Sequence, residues 1–112
     1  MSPITTHVLD IASGRPTSGM AVTLRRAEGA DWTDVGGGVT DGDGRVTNMV
    51  ASPTVPEGRY RIVFATGAYF AARRVATFYP EVTVDFVVSD AAAHYHVPLL
   101  LGPYGYSTYR GS

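Results

Sequence analysis

Few side chains in this sequence can do acid–base or nucleophilic chemistry, and three of them are histidines. The 112-residue chain contains no cysteine and no lysine, and its histidines are His7, His94 and His96. Histidine exchanges protons near neutral pH because its unperturbed pKa is about 6.5. Side chains two residues apart on a strand project from the same face, so the segment HYHVPLL predicts that His94 and His96 lie side by side.

Two interpretations of this histidine pair are open. With His7 as a third ligand, His94 and His96 would form the three-residue set of a catalytic zinc site. A histidine flanked by apolar residues on a strand is more often a hydrogen-bonded structural residue. The spacing alone favours the structural role without deciding the question.

A second polar segment, DGDGR, ends at Arg45. Asp41 and Asp43 alternate with glycines, but the segment lacks the third acidic position and the later glutamate of a calcium loop. Asp-Gly pairs are typical of tight hairpin turns, so we expect a turn here. A guanidinium directly after such a turn has a rigid support, which makes Arg45 a candidate functional residue.

The final segment, YGYSTYRGS at residues 104–112, is unusual for a chain terminus. Terminal residues tend to fray and are commonly small and polar. This segment carries three tyrosines and an arginine, which are costly to leave in solvent. We therefore expect the tail to be docked on the fold or to have a function of its own.

The elements that position these residues are short alternating segments separated by turn signals. Strands are predicted at ITTHVLDI, MAVTLRRAE, RYRIVFAT, EVTVDFVVSD and HYHVPLLL, with PYGYSTY continuing after a turn at Gly102-Pro103. WTDVGGGVT is expected to break at its three glycines, and GAYFAARRV is expected to form one short helix. Seven or eight such strands predict an antiparallel β-sandwich or barrel in a single domain spanning residues 1–112. The predicted core residues are Val22, Leu24, Ile62, Phe64, Val84, Phe86 and Leu99.

Composition narrows the class of protein. Nine arginines balance ten carboxylates to give a net charge of -1, so we expect no clustered basic surface for nucleic acid. The sequence has no apolar run long enough to span a membrane, and its first residues do not resemble a signal peptide. These features predict a cytoplasmic protein that does not associate with membranes.

Several motifs together resemble the 5-hydroxyisourate hydrolases, the transthyretin-like family of urate breakdown. The motifs are THVLD, DGDGR, TGAYF and HYHVPLLLGPYGYSTYRGS, and the resemblance runs from Ile4 to Ser112. The terminal YRGS is typical of the hydrolases and absent from true transthyretins. Thr17 and Gly102 depart from the common family residues, but neither belongs to a catalytic motif.

The resemblance implies a fold, an assembly and a reaction. The implied fold is a transthyretin-like (prealbumin-like) two-sheet β-sandwich of about eight strands with one short helix. The implied assembly is a homotetramer, a dimer of dimers, with active sites at the dimer–dimer interface. The implied reaction hydrolyses 5-hydroxyisourate to 2-oxo-4-hydroxy-4-carboxy-5-ureidoimidazoline with no metal or organic cofactor. The alternative is a transthyretin-like carrier that binds a small aromatic ligand without catalysis.

The resemblance also implies the site residues. The implied catalytic residues are His7, Arg45, His96 and Ser112, and the implied substrate-binding residues are Tyr109, Arg110 and Gly111. Ring opening requires a base for the water, positive charge for the oxyanion and a proton for the leaving nitrogen, which histidine and arginine can supply. Either His7 or His96 could be the base. His94 is expected to be structural or to face solvent.

Overall fold

The computed structural model describes residues 2–112, and its elements follow the alternating segments of the sequence. In these residues the elements are β1 (Ile4–Asp10), β2 (Arg15–Pro16), β3 (Ala21–Glu28), β4 (Asp31–Val39), β5 (Arg45–Val46), β6 (Gly58–Phe64), α1 (Thr66–Ala72), β7 (Val82–Val88), β8 (Tyr95–Gly102) and β9 (Gly105–Thr108). β2 and β5 have only two residues each, so the longer strands form the framework.

The strands form two sheets. The five-stranded sheet has the order β2-β1-β8-β9, and β5 also pairs with β1. The four-stranded sheet has the order β4-β3-β6-β7. The predicted two-sheet sandwich with one short helix is therefore confirmed.

The core lies between the two sheets. Five predicted core residues are at most 3% exposed, namely Val22, Leu24, Ile62, Phe64 and Leu99. Full burial of a side chain of this size contributes about 1.5–3 kcal/mol. Phe86 is only partly buried, because it lies on the edge strand β7, where it stacks on Tyr60 at a ring-centroid distance of 6.0 Å.

One strand pairing differs from the antiparallel prediction. β1 pairs with β8 in parallel, from Ile4 opposite Tyr95 to Asp10 opposite Leu101. Parallel neighbours require a long crossover connection, and here β2 to β7 lie between the two strands in sequence. The alternation of each segment defines its faces but does not specify its partner or direction.

The predicted break at the three glycines of WTDVGGGVT is wrong, because β4 continues through them to Val39. The N–H of Gly37 donates to the Met49 carbonyl at 2.9 Å. A Cβ on Gly38 would stand 2.9 Å from Cγ1 of Val46 in β5. The glycines therefore make room for β5 and the segment after it to pack against β4.

The helix prediction is confirmed at Thr66–Ala72. Its buried side chains are Thr66, Tyr69 and Phe70. At seven residues α1 is too short to cross a bilayer, and no helix within residues 2–112 is long and apolar enough to do so.

Candidate active site

The outer face of the five-stranded sheet carries most of the predicted functional side chains. The alternate residues of β1 point into the core, so Thr5 and His7 project outward. The parallel pairing of β1 with β8 places Thr5 opposite His96, and the pairing of β1 with β5 places His7 opposite Arg45. Residues distant in sequence therefore become neighbours on one face.

The turn before Arg45 is held by the Asp41 carboxylate. Its Oδ1 accepts the backbone N–H of Asp43 at 2.9 Å and that of Arg45 at 3.0 Å. The N–H donated by Arg45 is the main reason that the pKa of Asp41 lies below its usual value. Gly44 adopts a φ of +77°, and its carbonyl accepts the N–H of Val8 at 2.7 Å. The predicted turn is confirmed, and its hydrogen bonds fix the backbone of Arg45 against β1.

A cavity of about 220 Å³ opens on this face. Its lining includes Thr5, Arg45, Thr47, His94, His96 and Ser112. Three of the four predicted catalytic residues, Arg45, His96 and Ser112, therefore border one space. His7, the fourth, is half-buried beside Arg45 and does not border this cavity.

The Thr5 hydroxyl lies between the two histidines. Its Oγ1 is 2.8 Å from Nδ1 of His96 and 3.1 Å from Nε2 of His94. The predicted proximity of His94 and His96 is confirmed, although β8 begins only at Tyr95. His94 is exposed, whereas Thr5 is 4% exposed and His96 is half-buried.

The electrostatic environment of His96 disfavours its protonated form. Burial is the main cause that lowers the pKa of His96, repulsion between its protonated ring and the neighbouring His7, His94 and Arg45 side chains lowers it further, and a hydrogen bond with the Thr5 backbone acts in the opposite direction. A base with a lowered pKa is more fully deprotonated near neutral pH. His96 is therefore suited to accept a proton.

The C-terminal segment is docked on the five-stranded sheet. β9 pairs with β8, and the Thr108 hydroxyl donates to the Pro98 carbonyl at 2.7 Å. Farther along, the N–H of Gly111 donates to the carbonyl of His96 at 2.8 Å. These bonds place Ser112 at the cavity.

Gly111 lies directly against the His96 ring. A Cβ on Gly111 would stand 2.6 Å from Cδ2 of His96, much closer than real contacts allow. Only glycine fits between this segment and the imidazole without displacing one of them. The structure thus couples the path of the tail to the position of the ring.

Tyr109 and Arg110 lie elsewhere in the single chain. Both line a second cavity of about 260 Å³ between β7 and the tail. The Arg110 guanidinium lies 4.5 Å from the centre of the Tyr95 ring, and its Nη2 donates to the His94 carbonyl at 3.4 Å. Within one chain, Arg110 therefore holds the tail and does not border the histidine cavity.

The zinc ligand set considered for His7, His94 and His96 is not formed in residues 2–112. No group of three or more histidine, aspartate or glutamate side chains there is arranged to hold a metal ion. One ring nitrogen of His94 and one of His96 are directed at the Thr5 hydroxyl instead.

Three cavity residues, Thr5, Thr6 and Thr47, were not predicted from the sequence. Thr5 could have been found by strand periodicity, because it lies two residues before His7 and so shares its face. Nothing in the sequence around Thr47 indicates its position at the cavity, because it follows β5 in a segment without regular structure.

Comparisons with known proteins are consistent across sequence and structure. The chain is 44% identical over 109 residues to a 5-hydroxyisourate hydrolase of Salmonella dublin, covering 97% of this chain and 80% of that protein. The structure of Klebsiella pneumoniae 5-hydroxyisourate hydrolase superposes with a TM-score of 0.86 at 40% identity, covering 97% of this chain and 98% of the other.

A transthyretin also shares the fold. Sea bream transthyretin in complex with thyroxine superposes with a TM-score of 0.91 at 30% identity, covering 97% of this chain and 94% of that one. The family model described as HIUase/Transthyretin family matches residues 4–111. A match over nearly the whole length, together with these relatives, shows that the chain belongs to the HIUase/Transthyretin family.

Proposed function

We propose that this protein hydrolyses 5-hydroxyisourate, as the names of its hydrolase relatives suggest. The fold alone does not separate a hydrolase from a hormone carrier, because both superpose on the chain. The observation that carries the proposal is the shared cavity bordered by Arg45, His96 and Ser112. A passive aromatic-binding channel does not require a half-buried imidazole and a guanidinium at the same cavity.

In the proposed mechanism, His96 removes a proton from water as the water oxygen attacks a ring carbonyl carbon. Arg45 stabilises the negative charge that develops on the carbonyl oxygen, and its planar fork also suits an oxygen-rich ring. The carbon–nitrogen bond then breaks, and the leaving nitrogen takes a proton from the imidazolium. The net change is the addition of one water molecule across that bond.

His96 is proposed as the base in preference to His7 for two reasons. Its ring borders the cavity, whereas His7 does not. Its lowered pKa also keeps it neutral near pH 7. His7, opposite Arg45 on the adjacent strand, is proposed to orient the substrate.

The tail is proposed to complete the site. Ser112 offers a hydroxyl at the cavity, and Gly111 holds the His96 ring. Tyr109 and Arg110 remain predicted substrate-binding residues. Because they line the cavity beside β7 and not the histidine cavity of their own chain, they are proposed to contact substrate in the histidine cavity of another subunit.

The proposed assembly is a homotetramer arranged as a dimer of dimers. Beyond the histidines, the outer face of the five-stranded sheet continues with the apolar residues Leu9, Ile11 and Leu100, and Ile11 is 59% exposed. An apolar surface next to a polar site is typical of a face that another subunit covers. The proposed steps use no metal or organic cofactor, and a cytoplasmic location remains a prediction.

The test of the proposed function is the decay of freshly generated 5-hydroxyisourate, followed by its ultraviolet absorbance with and without the protein. We expect decay to accelerate strongly with the protein and to return towards the spontaneous rate with His96→Asn. Thr33→Val, an exposed substitution on β4, serves as the matched control. Equal decay with and without the wild-type protein would reject the hydrolase assignment and favour the carrier.

A further inference from the structure

The Thr5 hydroxyl has one proton and two histidine neighbours. Its Oγ1 lies 2.8 Å from Nδ1 of His96 and 3.1 Å from Nε2 of His94, both within hydrogen-bonding distance. A hydroxyl donates one hydrogen bond and can accept others. With both imidazoles neutral, Thr5 can accept from both rings or donate to one ring and accept from the other, because its oxygen has two lone pairs. Thr5 is 4% exposed, and within residues 2–112 its hydroxyl has no hydrogen-bond partner besides the two imidazoles, so only the second pattern gives its proton an acceptor. The three groups therefore form a hydrogen-bonded chain with a direction.

The direction of this chain determines where His96 carries its proton. If Thr5 donates to His94, His96 must donate from Nδ1, which leaves Nε2 of His96 with a free lone pair. If Thr5 donates to His96, the proton of His96 lies on Nε2. Only the first arrangement leaves Nε2 as a proton acceptor, because in the second the single lone pair of the His96 ring is on Nδ1 and accepts from Thr5.

The surroundings favour the first arrangement. Arg45 borders the same cavity as His96, and a guanidinium has five donors and no acceptor. A lone pair on Nε2 is favourable near this charge, whereas an N–H is not. On the other side of Thr5, the His94 ring is exposed, so water can hydrogen-bond to its Nδ1, the nitrogen that is not bonded to Thr5. The half-buried His96 ring is therefore constrained to one tautomer, and the exposed His94 ring takes the tautomer that matches it.

We propose that Thr5 and His94 are positioning residues for the proton acceptor of this site. The Thr5 hydroxyl accepts Nδ1–H from His96 and donates to Nε2 of His94, which fixes His96 in the tautomer whose Nε2 is free. Neither Thr5 nor His94 exchanges protons with the substrate in this arrangement. The catalytic part of the inference rests on the proposed function, whereas the tautomer itself does not.

The direct test is nitrogen-15 NMR of the imidazoles in the full chain without substrate. We expect the wild-type protein to show His96 protonated at Nδ1 and unprotonated at Nε2 at a pH where both rings are neutral. Thr5→Val keeps the shape of the side chain but removes the hydroxyl, so the protonated fraction of Nε2 should rise. Thr5→Ser should restore the wild-type tautomer, and Thr33→Val should not change it.

A second variant maintains the test if the buried Thr5→Val substitution prevents folding. His94→Ala removes an exposed ring and frees the Thr5 hydroxyl to donate to His96, so the protonated fraction of Nε2 should again rise. A wild-type His96 protonated at Nε2 would overturn the proposal. So would a tautomer that is the same in the wild-type protein, Thr5→Val and His94→Ala.

Kinetics separate this inference from the proposed function. With 5-hydroxyisourate, kcat should fall on the order of 10-fold in Thr5→Val with KM nearly unchanged, and Thr5→Ser should recover it. If Thr5→Val alters the tautomer of His96 but leaves kcat unchanged, the catalytic role of the hydrogen-bonded chain is rejected. If the wild-type protein shows the expected tautomer but does not hydrolyse this compound, the proposed function fails and the hydrogen-bonded chain stands.

Discussion

On the outer face of the four-stranded sheet Arg25 and Arg61 each meet a carboxylate, whereas Arg45 on the outer face of the five-stranded sheet meets none. Arg25 Nε lies 2.8 Å from Asp34, and Arg61 forms two bonds of 2.6 and 3.0 Å with Asp85. Within residues 2–112 no carboxylate lies within ion-pair distance of Arg45. One face neutralises its charges internally, and the other leaves them available.

This difference distinguishes arginines that pair with carboxylates of the same sheet from an arginine that is available to bind a ligand. An exposed ion pair contributes only about 0.2–1 kcal/mol to stability, and its members are occupied with each other. An arginine without a carboxylate partner offers all five of its donors to an incoming anion or oxyanion. The face with unpaired charge is also the face that holds the histidines.

The largest expected effect comes from Arg45→Lys. Lysine keeps the charge but loses the planar fork, so kcat for 5-hydroxyisourate should fall on the order of 10²-fold. Absorbance-based kinetics measure the effect, with Arg25→Lys on the other face as the matched control. Near-wild-type turnover in Arg45→Lys would show that charge alone suffices or that Arg45 lies outside the site.

A smaller effect is expected from Gly111→Ala. The added Cβ must displace the His96 ring or the tail, so kcat/KM should fall on the order of 10-fold while the fold is kept. Gly105→Ala is the matched control, because a Cβ on Gly105 meets nothing within 4 Å. Equal loss of activity in both variants would indicate a general effect of stiffening the tail.

Removing the charge of Arg45 should also change the titration of His96. In Arg45→Gln one of the positive charges that lower the pKa of His96 is gone, so NMR titration should show a higher pKa. In the wild-type protein the folded-state pKa lies below the unfolded value of about 6.5. As pH falls, the unfolded state therefore binds this proton before the folded state does. The free energy of unfolding, which is not affected by this group above about pH 6.5, decreases below that pH. That decrease should be smaller in Arg45→Gln, and an unchanged His96 pKa would contradict the prediction.

The smallest effect is expected on the opposite face. Arg25→Gln breaks an exposed ion pair with Asp34, so the free energy of unfolding should fall by about 0.2–1 kcal/mol. Hydrolysis should stay at the wild-type rate, because this pair is on the other sheet. Urea denaturation measures the free energy of unfolding, and the absorbance assay measures hydrolysis. A large loss of activity would contradict the proposed difference in role between the two outer faces.

Sequence periodicity predicted most of the strands because each strand alternates apolar residues that face the core with polar residues that face solvent. The alternation of RYRIVFAT, for example, correctly assigned Ile62 and Phe64 to the core. Periodicity failed where contacts with a distant segment determine whether a strand continues. The glycines of β4 continue a strand because Val46 and the Met49 backbone pack against them, and no local pattern encodes that approach.

The candidate site was predictable in its residue types and less so in its connections. The motifs indicated Arg45, His96 and Ser112, which the structure brings to one cavity. Strand periodicity places Thr5 on the same face as His7, but its contact with His94 and His96 depends on the parallel pairing of β1 with β8. The direction of that pairing is set by the packing of the whole chain and not by either segment.

The parallel pairing also has a consequence for the newly made chain. β1 carries Thr5 and His7, yet its partner β8 is synthesised only after β2 to β7. At about 5–20 residues per second, this delay lasts roughly 4 to 17 s. Until then one edge of β1 offers unpaired backbone groups to other chains. The cavity, the hydrogen-bonded histidines and the protection of that edge therefore all depend on one late event, the arrival of β8 beside β1.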